Sequence, residues 1–280
     1  MAPSVVLITG CSSGIGRALC WAFHRRGDRV VATARDVEAL EALSRVGMCT
    51  LALDVTNAEA ITQVVDTVVS TEGRLDVVVN NAGFGQFGPL MDIDRGRLQA
   101  QFQTNVFAPL AVAQQVAPMM KSQGSGRIVN VGSISGVVTT PFAGAYCASK
   151  AALHSLSEAL RMELAPFGIR VITIQPGAIA SSLGESAKKA LDGVVSKTSW
   201  YAELADDIQA RSNASQVDAT PTDDFAVQIV EQVMRSNPPA VLRRGKKSLW
   251  LPLLKRVLPR SLLEHVLMRR FGLLRLNDSK

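Results

Sequence analysis

The chain has 280 residues, of which 47% are hydrophobic and 19% charged, so it is long enough to bury a sizeable core as one domain. It has no run of about 18 apolar residues and no basic region ahead of its first apolar run, so we expect neither a membrane-spanning helix nor a signal peptide. The cysteines show neither metal-binding spacing nor a disulfide framework, which predicts free thiols in a reducing, cytoplasmic compartment; they are Cys11, Cys20, Cys49 and Cys147.

The positive charge belongs to the C-terminal segment. Residues 243–280 carry 11 Lys and Arg against Glu264 and Asp278, whereas the rest of the chain has 19 basic and 22 acidic residues. The net charge of +6 therefore comes from the C-terminal segment. This distribution argues against a nucleic-acid-binding surface over the body of the protein. No metal site is predicted, because the histidines are dispersed at His24, His154 and His265. For His154, a packing or interface role is preferred to a catalytic one.

Apolar runs of strand length alternate with amphipathic segments through most of the chain. Strands are predicted at 4–9, 29–34, 49–53, 75–80, 127–132 and 170–175, and helical segments at 15–26, 58–72, 95–121 and 148–166. Runs of Val, Ile and Leu fit parallel strands that are covered on both faces. The pattern predicts one doubly wound parallel sheet in a domain over residues 1–242, followed by a basic amphipathic extension over 243–280.

A glycine-rich turn follows the first predicted strand. Gly10, Gly14 and Gly16 are spaced G-x-x-x-G-x-G at the start of the first helix, where missing side chains let the backbone approach a pyrophosphate. A tight strand-to-helix turn without a ligand is the alternative.

The end of the second strand indicates the cofactor. Enzymes that use NAD usually place an acidic residue here for the ribose 2′-hydroxyl, but this chain has Ala34 followed by Arg35. A cation suits the 2′-phosphate, so NADP(H) is preferred. NAD(H) stays open, because Asp36 is adjacent and because Arg35 can equally be a solvated charge at a strand end.

Tyr146 and Lys150 stand four residues apart, which places a phenol and an ammonium on one face of a helix. A free phenol has a pKa of about 10, and the nearby ammonium is expected to lower the pKa of Tyr146. Together with a nucleotide-binding turn, the pair indicates a redox enzyme that moves a proton along with a hydride.

The chain resembles the short-chain dehydrogenase/reductase family over roughly residues 4–180. The resemblance rests on ordered motifs at Thr9-Gly10…Gly14-Ile15-Gly16, Asp54-Val55, Asn80-Asn81-Ala82-Gly83, Asn105-Val106, Ser133, Tyr146…Lys150 and Pro176-Gly177. The stretches 7–16 and 146–150 also resemble the 17β-hydroxysteroid and retinol dehydrogenase-like branch. The family resemblance implies a single Rossmann-type fold with helices on both faces of the sheet.

The resemblance implies a catalytic set of four residues. Tyr146 would be the acid–base, and Lys150 would also hold the nicotinamide ribose. Ser133 would hydrogen-bond the substrate oxygen, and Asn105 would sit in a helix and hold a water in contact with Lys150. Ser133 is preferred to Ser135 because the family places its serine 13 residues before the tyrosine.

The resemblance also implies a cofactor site at the carboxyl ends of the strands. Asp54 and Val55 would contact the adenine, with a helix-capping acid as the alternative for Asp54. Asn80, Ala82 and Gly83 would let the chain pass close to the adenosine ribose, with a plain turn as the alternative. The predicted cofactor residues are Thr9, Gly10, Ser12, Ser13, Gly14, Ile15, Gly16, Arg35, Asp54, Val55, Asn80, Ala82, Gly83, Tyr146, Lys150, Pro176, Gly177, Ile179 and Ser181, the last standing where the family often has a threonine.

These features predict an NADP(H)-dependent oxidoreductase that interconverts a ketone or aldehyde and an alcohol. Loop 84–91 and residues 181–220 are expected to select the substrate, and the apolar side chains of the loop favour an apolar, steroid-, retinoid- or lipid-like compound, although core packing explains them almost as well. A non-catalytic NADP(H)-binding sensor or regulatory protein on the same fold is the alternative, and the Tyr146–Lys150 pair argues against it.

The C-terminal extension and the helices suggest partners. Leu262, Leu263, Val266 and Leu267 recur at helical spacing among basic residues, as in a helix that lies on an anionic membrane surface. Docking on the body of the enzyme or on a second subunit is an equal alternative. The family resemblance implies a homodimer or homotetramer, built on the helices that include 95–121 and 148–166.

Overall fold

A computed structural model describes residues 3–181 and 190–278. In these residues seven parallel strands form one sheet, in the order β3-β2-β1-β4-β5-β6-β7. The strands are β1 (Val5–Ile8), β2 (Arg29–Ala34), β3 (Cys49–Ala52), β4 (Val77–Asn80), β5 (Gly126–Val131), β6 (Ile169–Pro176) and β7 (Val241–Arg244). This confirms the predicted doubly wound Rossmann-type fold. The order reverses between β1 and β4, which is where such sheets bind their ligands.

Helices cover both faces of the sheet and continue beyond its last strand. They are α1 (Gly14–Arg25), α2 (Glu41–Ser44), α3 (Ala58–Glu72), α4 (Arg95–Phe102), α5 (Ala108–Gln123), α6 (Gly144–Leu164), α7 (Ala205–Asn213), α8 (Thr222–Val233), α9 (Trp250–Val257), α10 (Arg260–Arg270) and α11 (Arg275–Asp278). No helix in the described ranges is long and apolar enough to cross a membrane.

Alternating side chains of β1 show how the sheet separates two cores. Val6 and Ile8 lie in one apolar cluster with side chains of α1 and α8, including Phe23 and Phe225. Val5 and Leu7 belong to a second cluster with side chains of α3 and α5. Because successive strand residues point to opposite faces, a strand that is apolar at every position has both faces buried.

The termini of α3 show how local sequence sets the helix boundaries. The side chain of Asn57 accepts a hydrogen bond from the Ala60 amide and caps the first turn. Gly73 ends the helix in the left-handed region, at a φ of 68°. The chain is thereby returned to β4 within a few residues.

The strand β7 was not predicted. It is short, and Arg243 and Arg244 make it look like the start of the basic segment, yet Val241 and Leu242 pair with Thr173 and Ile174 of β6. The guanidinium of Arg243 donates to the Oε1 of Gln175 on β6 at 2.7 Å. The segment outside the sheet therefore begins after Arg244.

The C-terminal segment contacts the body of the protein through the residues that follow α10 and through Lys255 on α9. Phe271, Leu273 and Leu276 pack against a buried cluster that contains Phe142 and Leu204. The ammonium of Lys255 donates to the Val137 carbonyl at 2.7 Å, and Arg275 forms an ion pair with Asp207. In contrast, α9 leaves large apolar side chains exposed, as described below.

Candidate active site

The glycine turn between β1 and α1 is closed by backbone contacts. Gly10 and Gly14 have φ angles of 72° and 56°, which residues with a side chain rarely adopt. A Cβ on Gly16 would lie 2.3 Å from the Gly10 carbonyl oxygen and 2.4 Å from the Nδ2 of Asn81. The turn therefore needs glycine at these positions for its own geometry, whatever it binds.

The amino terminus of α1 is arranged to receive an anion. Its first turn contains no acidic residue, and Ser12 and Ser13 are exposed ahead of it. A cavity of about 590 Å³ lies beside it, lined in part by Gly14, Arg17, Trp21 and Ser181. None of the four predicted catalytic residues lines this cavity, so the cavity is separate from the predicted catalytic site.

Thr9 ties this turn to the chain that follows β4. Its hydroxyl oxygen accepts from the amides of Asn81 at 3.1 Å and Ala82 at 3.0 Å. The Nδ2 of Asn81 donates to the carbonyls of Thr9 and Gly10, both at 2.9 Å. Asn81 was part of a predicted motif but had no predicted role, and these bonds give it one.

Three predicted cofactor residues have their side chains engaged by neighbours or buried, Asn80 and Val55 in the interior and Asp54 at the surface. The Nδ2 of Asn80 donates to the Oδ1 of Asn130 at 2.8 Å, and Val55 is buried. The Oδ1 of Asp54 accepts from the amide and hydroxyl of Thr56 at 2.9 and 2.7 Å, and these bonds lower the pKa of Asp54. Asp54 thus stabilises a local turn before α3, whereas the residue that caps the helix is Asn57.

Arg35 directly follows β2, and its side chain is exposed beside the buried Ala34. Its charge contributes to the lowered pKa of Asp54, after the hydrogen bonds of Thr56. Arg35 therefore lies at the carboxyl edge of the sheet, where the glycine turn also follows the neighbouring strand β1.

The residues after β6 are shaped by the unpredicted strand β7. The Gly177 amide donates to the Arg244 carbonyl at 2.9 Å, and a Cβ on Gly177 would lie 2.1 Å from the Lys246 carbonyl oxygen. Ile179, which follows Pro176 and Gly177, is buried and bridges to Thr220, and the Ser181 amide donates to the Oε1 of Gln216 at 2.9 Å.

Asn105 lies in a π-helical turn, Gln103–Phe107, that interrupts the predicted helix 95–121. Such turns are frequent at functional sites and cannot be read from apolar periodicity. The side chain of Asn105 is buried, and its Nδ2 donates to the Phe84 carbonyl at 3.0 Å and the Ser149 hydroxyl at 3.1 Å. A Cβ on Gly83 would lie 3.0 Å from the Asn105 Oδ1 and 3.7 Å from the Lys150 Nζ, so the absent side chain keeps this space open.

Tyr146 and Lys150 lie on α6, which begins at Gly144, one turn earlier than predicted. Both are buried, with 6% of each side chain exposed. Burial raises the pKa of Tyr146 to about 12, although a hydrogen bond to the Ser133 side chain acts to lower it.

The expected effect of Lys150 on the phenol is absent in the protein alone. The Lys150 ammonium donates to the Val131 carbonyl at 2.7 Å, and it is not among the groups that shift the pKa of Tyr146. Burial lowers the pKa of Lys150 itself to about 8. The site therefore holds a protonated phenol beside an ammonium that titrates near neutral pH.

His154 supports the residue that faces Tyr146. Its Nε2 accepts from the Ser133 amide at 3.3 Å, and its Nδ1 lies 3.4 Å from the side-chain nitrogen of Gln175. Burial and the charge of Lys150 lower the pKa of His154 to about 4, so the ring is neutral at physiological pH. A Cβ on Gly132 would lie 2.2 Å from its Nε2, so the ring packs tightly against this turn.

The comparison with known proteins decides the family. A family model described as short chain dehydrogenase matches residues 4–192. The chain belongs to the short-chain dehydrogenase/reductase family. It is an oxidoreductase of that family, and the four predicted catalytic residues lie within the matched residues.

Similar proteins cover between 70% and 97% of this short-chain dehydrogenase/reductase. A short-chain dehydrogenase/reductase of Pestalotiopsis microspora is 35% identical, over 97% of this chain and 95% of the relative. The crystal structure of a short-chain dehydrogenase from Streptomyces avermitilis has a TM-score of 0.80 and 32% identity, over 91% of this chain and 92% of that one. A metagenomic short-chain oxidoreductase in complex with NADP has a TM-score of 0.60 and 34% identity, over 70% of this chain and 93% of that one. None of these names specifies a steroid or a retinoid.

Sequence reasoning missed the side chains that surround the tyrosine of this dehydrogenase. The Phe87 ring stacks on Tyr146, with 5.7 Å between centroids and 30° between planes. The guanidinium carbon of Arg211 lies 5.3 Å from the Phe87 centroid and 5.7 Å from that of Phe271. No local motif links these positions, because the stack joins segments that are far apart in the sequence.

The buried amide of Gln101 fixes the loop that carries Phe87. Its Oε1 accepts from the Gln86 amide at 2.6 Å, and its Nε2 donates to the Phe84 carbonyl at 2.7 Å. Of the predicted substrate segment, 181–220, positions 182–189 lie outside the described residues. The described part supplies α7, which carries Arg211.

Proposed function

We propose that this protein is an NADP(H)-dependent reductase and dehydrogenase that interconverts a ketone or aldehyde and an alcohol on an apolar substrate. The observation that carries the proposal is the buried phenol of Tyr146, whose pKa responds to the Ser133 side chain and which lies one helical turn from the buried ammonium of Lys150. An ordinary structural tyrosine has no need of a second polar group on the phenol and a buried cation beside it.

The residues present fit a dinucleotide. The turns at 9–16, 80–83 and 176–181 lie at one edge of the sheet, and the amino terminus of α1 offers amides and a positive dipole for a diphosphate. Arg35 offers a cation for a 2′-phosphate. The nicotinamide of the bound cofactor supplies or accepts the hydride.

In the reductive direction, Tyr146 donates its phenolic proton to the substrate oxygen as the carbonyl carbon gains the hydride. The raised pKa of about 12 keeps that proton on Tyr146 at neutral pH, which suits reduction. The Ser133 hydroxyl donates a hydrogen bond to the same oxygen and stabilises its developing charge. Lys150, with a pKa of about 8, is the stronger acid and can return a proton to the phenolate. A water held by Asn105 in the space left by Gly83 would connect Lys150 to solvent.

Cofactor preference is tested by titration with NADPH and NADH, following energy transfer from tryptophan to the nicotinamide. Trp21 lines the cavity beside Gly14 and serves as the donor. We expect Arg35→Ala to weaken NADPH binding roughly tenfold while NADH binding is unchanged, and Arg45→Ala to weaken neither. Equal or tighter binding of NADH by the unmodified protein would contradict the NADP(H) preference, and no binding of either would contradict the function.

Exposed apolar side chains in the two predicted substrate segments support an apolar substrate. In the loop that carries Phe87, Leu90 and Met91 are 59% and 69% exposed. Trp200, in the predicted substrate segment, is 76% exposed. The resemblance of 7–16 and 146–150 to steroid and retinol dehydrogenases points to the same class of compound. A screen of lipophilic ketones and aldehydes with NADPH, compared with small hydrophilic carbonyl compounds, measures this preference directly.

We also propose that α9 and α10 contact an anionic membrane surface. Leu249, Trp250, Leu253 and Val257 are 46–68% exposed, and the exposed Arg256 lies between the last two in the sequence. On α10, Leu262 and Val266 are each 48% exposed. An exposed apolar face with a basic flank is complementary to anionic headgroups above an apolar interior.

Flotation with phosphatidylcholine vesicles, with and without phosphatidylserine, tests this contact. The double substitution Trp250→Ser with Leu253→Ser should abolish binding, whereas Leu90→Ser should not. Truncation at 242 would be a poor test, because it cuts β7. Failure of the unmodified protein to float with anionic vesicles would contradict the contact.

We propose that the subunits associate through α4, α5 and α6 as a homodimer or homotetramer. Leu98, Phe107, Met162 and Phe167 lie on or beside these helices and are 38–68% exposed. Light scattering should give a dimer or tetramer, and Phe107→Glu with Met162→Glu should reduce its mass, whereas Val37→Glu should not. A monomeric unmodified protein would contradict this association.

A further inference from the structure

Arg211 is a buried cation within the substrate side of the molecule. Only 8% of the residue is exposed, and its guanidinium lies between the rings of Phe87 and Phe271. Its Nε and Nη2 donate to the hydroxyl oxygen of Thr140 at 2.9 and 2.7 Å. The N–H groups of a guanidinium donate in its own plane, so further hydrogen bonds must form at its edge.

The charge of Arg211 is not neutralised by a described neighbour. Among the described side chains of residues 3–181 and 190–276, no carboxylate forms an ion pair with it, and the acid of α7 that is paired, Asp207, binds Arg275 instead. Burial lowers the pKa of Arg211. Burying a guanidinium without a counter-ion costs free energy, because the group loses its hydration. Buried charges in proteins are therefore normally paired with an opposite charge.

Arg211 is also near the reacting group. Phe87 is the single layer between it and the Tyr146 ring, and the charge of Arg211 acts on Tyr146 and on Cys147. Arg211 and Tyr146 therefore share Phe87 as a neighbour, so a substrate that reaches Tyr146 comes within one ring of the cation.

We propose that Arg211 binds an anionic oxygen group of the substrate, so that the preferred substrates are largely apolar ketones or aldehydes that carry a carboxylate. Arginine recognises a carboxylate with two parallel hydrogen bonds, which fits the free edge of the guanidinium. This inference rests on the proposed function and narrows its substrate class.

A purely structural role would give a different result. If Arg211 served only to fasten Phe87 to Phe271, its replacement would lower stability and impair every substrate alike. A recognition role instead separates a charged substrate from its neutral counterpart. The readout must therefore be a ratio between two ligands that differ only in that charge.

The test compares 5-oxo-5-phenylpentanoate with its methyl ester as substrates of the full-length enzyme with NADPH. We expect kcat/KM for the acid to exceed that for the ester about tenfold or more, and Arg211→Met to remove the difference. Arg211→Lys should retain part of it and serves if the methionine variant fails to fold. Arg270→Met is the matched control, because Arg270 is exposed and stacks on the outer side of Phe271.

A second measurement does not depend on turnover. Binding of 5-phenylpentanoate and its methyl ester to the enzyme with NADP⁺ is measured by calorimetry, since neither can be reduced. Tighter binding of the acid that is lost in the Arg211 variants supports the inference. Equal binding of both, or binding of neither, overturns it. If NADPH binds and other carbonyl compounds are reduced, the proposed function survives that result; if NADPH does not bind, the proposed function has failed instead.

Discussion

The cofactor side and the substrate side of this enzyme are built by different means. On the cofactor side, short polar side chains and backbone groups hold each other, as Thr9 and Asn81 do across the ends of β1 and β4. On the substrate side, large side chains from distant segments form a stack that runs from Tyr146 through Phe87 and Arg211 to Phe271.

The contrast shows what each region tolerates. Close backbone approach leaves no space for an added methyl group, whereas a stack of side chains can change its members and still fill its volume. The tyrosine lies where the two regions meet, held by Ser133 and close to Lys150 on one side and stacked on Phe87 on the other. Substrate selection can therefore vary while the cofactor side stays fixed.

The largest effect after that of the tyrosine itself is expected at Lys150. Lys150→Met should lower kcat by about 10²- to 10⁴-fold without destabilising the protein, because it removes a buried charge that acts in proton transfer. The exposed Lys121→Met, on α5, is the control. Full activity of Lys150→Met would show that a group other than Lys150 supplies the proton.

The unmodified enzyme gives a related pH dependence. Since burial lowers the pKa of Lys150 to about 8, its ammonium is lost as the pH rises through that value. The kcat/KM for reduction should therefore fall above pH about 8, while Tyr146, with its raised pKa, stays protonated. A profile from pH 6 to 10 that stays flat would contradict the role of Lys150.

The cofactor side should be intolerant of a single methyl group. Gly16→Ala should lower the free energy of unfolding by at least about 3 kcal/mol and weaken NADPH binding, because the new Cβ meets the Gly10 carbonyl and the Asn81 side chain. Gly96→Ala, on α4, is the matched control, since its Cβ would meet only the Asp94 side chain at 3.2 Å. Denaturant titration measures both, and equal losses would contradict this difference.

The smallest effect concerns His154, behind Ser133. Its pKa is lowered to about 4 in the folded protein, below the ordinary value of 6.5, so the unfolded chain binds the proton more readily. Stability is therefore full above pH 6.5 and is lost as the pH falls toward 4, by roughly 2 kcal/mol at pH 5. His154→Gln should remove this dependence and His265→Gln should not, as measured by denaturant titration at pH 7 and pH 5.

The sequence predicted the sheet well because buried parallel strands carry a dense apolar signal. Six strands were found, and β7 was missed because Arg243 and Arg244 resemble the basic segment that follows. The interruption of helix 95–121 was also missed, since the π-turn around Asn105 depends on the packing of Asn105 against Phe84 and Ser149.

The candidate site also contains residues that the sequence predicted and residues that it did not. Gly10, Ser133, Tyr146 and Lys150 were predicted because their motifs are local, and the structure brings Ser133 and Tyr146 into contact. Arg211 could not have been predicted, because nothing near it in the sequence indicates that Phe87 and Phe271 enclose it. The lowered pKa expected for Tyr146 was wrong for the protein alone, because burial raises it and Lys150 is not among the groups that shift it.

Tyr146 is the proposed proton donor, and the substitution Tyr146→Phe removes the hydroxyl that carries the proton. Turnover of a carbonyl substrate and binding of NADPH are measured on the same preparation, with Tyr201→Phe, the other tyrosine of the chain, as the control. We expect kcat to fall by about 10³-fold or more in the first variant while NADPH binding is kept, and we expect the control to be unaffected. Full activity of Tyr146→Phe would contradict the mechanism.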